Sequence, residues 1–175
     1  MRELFLFVAV AWVVFAPPAA PPANAAGDWP WPVVGPVVQG FDRPDTPFSS
    51  GHRGIDIAVV LGSPVRASAA GVVTFAGPVG GRLFLTIDHG GGLESRYSFL
   101  DALVARRGDA VSTGQVVARS GTGHAGDLVP NVHFAVLLDD AYVDPLDYLG
   151  PIEVWRFIRL APLHPGFDAR PEVSR

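Results

Sequence analysis

At 175 residues, 49% of them hydrophobic, the chain is sized for one domain plus tails. A formal net charge of −4 gives no basic footprint for nucleic acid. The absence of Cys excludes a disulfide framework and a thiol nucleophile, and leaves no Cys near the N-terminus for lipid attachment. The 20 Gly and 17 Pro suit a loop-rich β domain better than a helical bundle, because both residues punctuate helices.

Residues 1–26 read as a targeting segment. Arg2 precedes an apolar run from Leu4 to Ala16 that is short for a membrane-spanning helix, and Ala23-Asn24-Ala25 fits a small-x-small cleavage site. Glu3 weakens the positive start, so an uncleaved N-terminal anchor stays open as the alternative. In either case the rest of the chain is expected to be exported, to the bacterial cell envelope or beyond. Contact with membrane is expected only through this segment.

Residues 27–50 form a Pro- and Trp-rich stretch. Alternate prolines block helix and central strand alike, so an extended segment is expected, packing Trp29 and Trp31 on the domain edge rather than offering them to a ligand. Residues 51–150 then break into short apolar runs at Ile55–Val60, Val65–Ala76 (bent at Gly71), Leu83–Asp88, Leu93–Leu100, Gln115–Arg119 and Val132–Leu138. The Gly- and Pro-containing turns between them predict an all-β domain. Asp101–Gly108 is ambiguous between helix and strand. Asp144-Pro145 predicts a short capped helix. The tail, residues 151–175, has an apolar run at Trp155–Leu160 and scattered prolines and is expected to be loosely ordered.

Two stretches carry chemistry. Gly51-His52-Arg53-Gly54-Ile55-Asp56 and the distant Asn131-Val132-His133-Phe134 hold imidazole and carboxylate groups of the kind zinc takes, with one position left for water. The His-x-x-x-Asp spacing is unspecific alone, and for the isolated motif a loop His with a capping Asp is the better reading.

The order of motifs narrows the choice. His52-Arg53-Gly54-Ile55-Asp56 is followed by Gly62-Ser63-Pro64-Val65-Arg66-Ala67, Ala70-Gly71-Val72-Val73 and Asp88-His89-Gly90-Gly91-Gly92-Leu93. Tyr97-Ser98-Phe99-Leu100, Gly108-Asp109, Gly114-Gln115, Ser120-Gly121-Thr122-Gly123, Asn131-Val132-His133-Phe134 and Asp144-Pro145-Leu146 come next. In this order and spacing the run resembles the lysostaphin-like (LytM-type) peptidoglycan metallopeptidases. The resemblance implies a two-layer antiparallel β sandwich with a groove across one sheet. It implies one zinc ion held by His52, Asp56 and His133, and cell-wall peptides as substrate.

The chain departs from that pattern at two positions. The family's non-ligand catalytic histidines fall on Phe99 and Asn131, neither of which can take a proton near neutral pH. Positions i and i+2 of a strand share a face, so Asn131 is expected beside His133. His124, in the Gly-rich loop before that strand, is the candidate substitute base or substrate contact, with a solvated loop histidine as the alternative. Tyr97 and Arg53 are expected at the groove, while His89 is expected to make a structural hydrogen bond. A positioned acid or base contributes roughly 10²- to 10⁴-fold. The reading is therefore a zinc metalloendopeptidase-type domain with weakened or altered hydrolysis. The alternative is a non-catalytic envelope module that binds peptidoglycan or regulates another cell-wall hydrolase.

Overall fold

The computed structural model describes residues 27–46, 49–124 and 126–151; the expected targeting segment and most of the tail lie outside them. Ten strands follow in order: β1 (Val37–Gln39), β2 (Ile55–Ala58), β3 (Pro64–Arg66), β4 (Gly71–Val79), β5 (Arg82–Asp88), β6 (Leu93–Leu103), β7 (Ala110–Val111), β8 (Val116–Ser120), β9 (Asn131–Leu138) and β10 (Ala141–Val143). The predicted Val65–Ala76 run is two strands, because the chain leaves extended pairing between Arg66 and Gly71. At Gly71 it passes so close to the Asp88 carbonyl that a β-carbon would collide with it. The ambiguous segment is resolved in part: Asp101–Leu103 continues β6. The predicted capped helix is a single 3-10 turn, Pro145–Asp147, with the Asp144 carboxylate accepting from the Leu146 N–H at 2.9 Å.

All pairings between the strands are antiparallel, and the main sheet runs β1-β2-β9-β6-β5-β4-β7. The second layer branches from it through one long strand. Residues 93–98 of β6 pair with β9, whereas Leu100–Leu103 pair with β8, which in turn pairs with β3. Val65, Val117 and Ala118 of this branch join Ile55, Ile57, Leu85, Ile87 and Phe134 in one core. Just past β3, the Ser68 N–H reaches the Tyr97 hydroxyl of β6 at 2.9 Å, tying the layers together.

Strand alternation sorts the residues of β9. Val132, Phe134 and Val136 enter the core, while Asn131 and His133 lie on the opposite face. The N-terminal stretch caps one end of the domain. Trp29 is fully buried, bridges in parallel to Leu149, and packs on His89 at 4.8 Å and Tyr148 at 5.3 Å between ring centroids. The Trp31 indole N–H donates to the Gly150 carbonyl at 2.8 Å. Trp29 is therefore a packing residue, not a ligand platform.

Candidate metal centre

Strand register assembles the centre. Asp56 on β2 lies directly across from His133 on β9, and His133 directly across from Ser98 on β6. Cross-strand partners present their side chains to the same face, so the three form a row. His52 precedes β2 in a bridge to Asp42, where two backbone hydrogen bonds of 2.8 and 2.9 Å fix it. Its Nδ1 donates to the Gly40 carbonyl at 2.7 Å, which leaves the Nε2 lone pair pointing toward the row. Gly54 between them is a steric requirement. A β-carbon there would meet the His133 ring at 2.8 and 2.9 Å and overlap the Phe134 carbonyl.

The ligand atoms converge. His133 Nδ1 is 2.8 Å and His52 Nε2 3.2 Å from Asp56 Oδ1, and the two imidazole nitrogens are 3.1 Å apart. Zinc–ligand bonds of about 2.0–2.2 Å in tetrahedral array separate ligand atoms by about 3.3–3.6 Å, so these spacings need open by less than about 1 Å. Burial works against the Asp56 charge. The His133 hydrogen bond and the fields of His133, His52 and His124 outweigh it and hold the carboxyl below the usual carboxylate range. His52 and Asp56 are buried, as a site shielded from bulk water requires.

His124 joins them. Its Nε2 lies 3.4 Å from Asp56 Oδ2, and one potential ligand atom from each of His52, Asp56, His124 and His133 falls within 4.8 Å of all the others. That nitrogen is buried and makes no hydrogen bond, a state that a metal ion relieves. These four residues can hold a metal ion. His124 thus borders the cluster, with its Nε2 turned inward and the rest of its side chain partly exposed.

Phe99 and Asn131 both touch the loop that carries His124. Regular alternation would send Phe99 into the core beside Tyr97. Instead it sits at a register shift of β6 with φ of 61°, a bulge that turns its ring toward the centre. Its centroid is 4.1 Å from His124 and 6.1 Å from His133. Asn131 shares the face of His133 as expected, but its amide donates to Asp127 Oδ2 at 2.7 Å and to the Val129 carbonyl at 3.2 Å. The same Asp127 oxygen accepts the His124 N–H at 2.6 Å.

Tyr97 is fully buried, its ring 5.3 Å from Phe134, so it belongs to the core and not to the groove. Burial pushes its hydroxyl pKa up, against the hydrogen bonds it makes to Ser95 and Ser68. Arg53 is partly buried, and its guanidinium donates to the Ser49 carbonyl at 3.2 Å. His89 makes the structural contacts expected of it. Nδ1 donates to the Ala70 carbonyl and Nε2 meets the Ser95 hydroxyl, both at 2.8 Å. Beside Phe99 a depression of ≈ 420 Å³ is lined by Arg82, Asp101 and Thr122 among others, and by none of His52, Asp56, His124 and His133. Neither Ser98 nor this depression was visible in the sequence; only the strand register and the β6 bulge reveal them.

Comparison with known proteins places this geometry. A model of peptidase family M23 matches residues 50–145. An uncharacterized protein of Mycobacterium tuberculosis is 36% identical over 140 residues, covering 76% of this chain and 54% of the relative. The murein hydrolase activator NlpD of Salmonella dublin is 32% identical over 123 residues, covering 69% of this chain and 31% of that one. The chain thus spans about half, or less, of the length of these relatives. Among solved structures, a peptidase from Vibrio cholerae described as zinc-containing superposes with a TM-score of 0.59 at 29% identity, covering 72% of this chain and 41% of the other. Lysostaphin from Staphylococcus simulans superposes with a TM-score of 0.61 at 23% identity, covering 73% of this chain and 55% of the other, a likeness of fold.

Proposed function

We propose, since this chain belongs to peptidase family M23, that it is a bacterial envelope domain that holds cell-wall peptide beside a zinc centre and hydrolyses it only weakly. The observation that carries the reading is the coexistence of converged His52, Asp56 and His133 with Phe99 and Asn131 at the positions where the family resemblance calls for histidines. A zinc ion, when bound, supplies Lewis-acid activation of a peptide carbonyl and of water.

The chain's own residues do the rest, and less than a full set would. Asp56 stays ionised, and Gly40 holds the His52 ring with Nε2 facing Asp56 and His133. Phe99 excludes water from one side of the centre but moves no proton. Asn131 is committed to Asp127 and Val129. The depression beside Phe99 suits a zwitterionic peptide, with Arg82 for a carboxylate and Asp101 for an ammonium group. The second reading, a module that regulates a cell-wall hydrolase, is favoured by the relative named as a murein hydrolase activator and by the same two replacements.

The test uses purified protein. One zinc per chain is expected by metal analysis, lost in His133→Ala, together with peptidoglycan sedimentation and slow release of soluble fragments. Binding without any release that depends on zinc would transfer the assignment to the regulatory reading. Full zinc occupancy in a His52→Ala/His133→Ala variant would refute the centre itself.

A further inference from the structure

We propose that His124 is a fourth protein ligand of the metal centre, seated there by Phe99 and Asn131. The inference rests on the metal-centre reading above and goes beyond it, because it assigns the two replaced positions a task of their own.

The geometry brings His124 within reach of the centre: one ligand atom from each of the four residues lies within 4.8 Å of the others. The His124 Nε2 is 3.4 Å from the Asp56 oxygen that faces away from the His52 and His133 contacts. The nitrogen is buried yet makes no hydrogen bond, although the residue as a whole is partly exposed. Its ring is 6.1 Å from that of His52 and 5.6 Å from that of His133, stacked on neither. Three imidazoles therefore surround one carboxylate.

The seat is built from the departures. The Phe99 ring packs on the His124 ring, and the Asn131 amide and the His124 N–H share one oxygen of Asp127. The loop is fitted to Asn131: a β-carbon at Gly123 would come within 2.5–2.8 Å of its carboxamide atoms. Arg82 closes the arrangement, donating to the Gly123 carbonyl while its guanidinium lies 5.2 Å from the Phe99 centroid. Replacing two histidines and recruiting a third are thus one structural change. A centre with three protein ligands keeps a position open, whereas one with four is closed. With His124 as a ligand, a four-coordinate centre would have no position open for peptide.

The experiment measures zinc affinity by chelator competition, and the visible spectrum of the Co²⁺-loaded protein with and without azide, a small ligand for an open position. Wild type, His124→Ala, His124→Gln and Asn131→Ala are compared. His124→Ala is expected to bind one zinc at least about tenfold more weakly, the lower bound seen even for partners that only orient ligands. Azide is expected to shift the Co²⁺ spectrum of His124→Ala and leave that of wild type unchanged, with Asn131→Ala between them. An azide shift in wild type overturns the closed centre whatever the variants do, as does equal zinc affinity in wild type and a folded His124 variant. If zinc binding survives His124→Ala unchanged but is lost in His133→Ala, this inference alone fails. If wild type binds no zinc, the metal-centre reading fails with it.

Discussion

Restoring histidine at both departed positions is the sharpest perturbation of the chemistry. Asn131→His places an imidazole on the face that presents His133, and Phe99→His replaces one planar ring by another on the bulge of β6. The two changes are not equally easy. Phe99 is partly exposed and its ring contacts, His124 at 4.1 Å and Phe84 at 5.9 Å, accept another ring. Asn131 is 2% exposed and packed against Gly123. Replacing it also removes the hydrogen bond to the Asp127 carboxylate and the one to Val129. A hydrogen bond to a charged partner contributes about 1.5–3 kcal/mol and a neutral one about 0.5–1.5, so the loop that carries His124 loses about 2–4.5 kcal/mol of local stability. That loss falls where it helps, because the larger ring displaces the loop that carries His124. The double variant, folded and zinc-loaded, is expected to release soluble peptidoglycan fragments at least about tenfold faster than wild type, a modest share of the roughly 10²-fold or more that one acid–base group contributes. A wild-type protein already working at ordinary enzymatic rates, with activity abolished by His124→Ala, would refute the reasoning and make His124 the working base.

Three further outcomes test other parts of the account. Burial lowers the pKa of His89 from its ordinary 6.5, against the Ala70 hydrogen bond and the fields of Asp88 and Glu94, so the unfolded chain binds the extra proton more readily. Its stabilisation is complete above pH 6.5 and is lost as pH falls through the folded-state value; urea midpoints should drop with acidification less steeply in His89→Gln than in wild type, and parallel slopes would sink the assignment. Trp29→Ala should cost about 3–5 kcal/mol in urea unfolding, because Trp29 is fully buried between His89 and Tyr148; a cost under about 1 kcal/mol would detach the N-terminal stretch from the core. N-terminal sequencing of envelope or secreted protein is expected to begin just after Ala25, and an intact chain recovered only from the cytoplasm would count against export.

The longer strands and the clustering of His52, Asp56 and His133 were legible because they obey local rules, whereas the short β1, β7 and β10 were not. Alternation along Asn131–Leu138 separates a core face from a site face without knowledge of the partner strand, and His52, Asp56 and His133 sit in motifs whose order is itself informative. What the sequence hid is non-local or breaks the local rule. Phe99 faces the centre only because φ of 61° reverses the alternation that should bury it, and nothing in Tyr97-Ser98-Phe99-Leu100 announces a bulge. Tyr97 looked like a groove residue by resemblance, yet it obeys the alternation that Phe99 violates and is buried with its hydroxyl held by Ser68 and Ser95. His124 was visible as an imidazole in a flexible-looking loop. Its place depends on Asp127 accepting from both His124 and Asn131, a contact set by how the loop returns to β9. The lost histidines therefore do not simply subtract from an otherwise standard site. The Phe99 ring packs on His124, and a histidine at position 131 would compete with Gly123 for the space the Asn131 carboxamide now fills. The chemistry at this centre depends on which imidazole the loop allows to face Asp56.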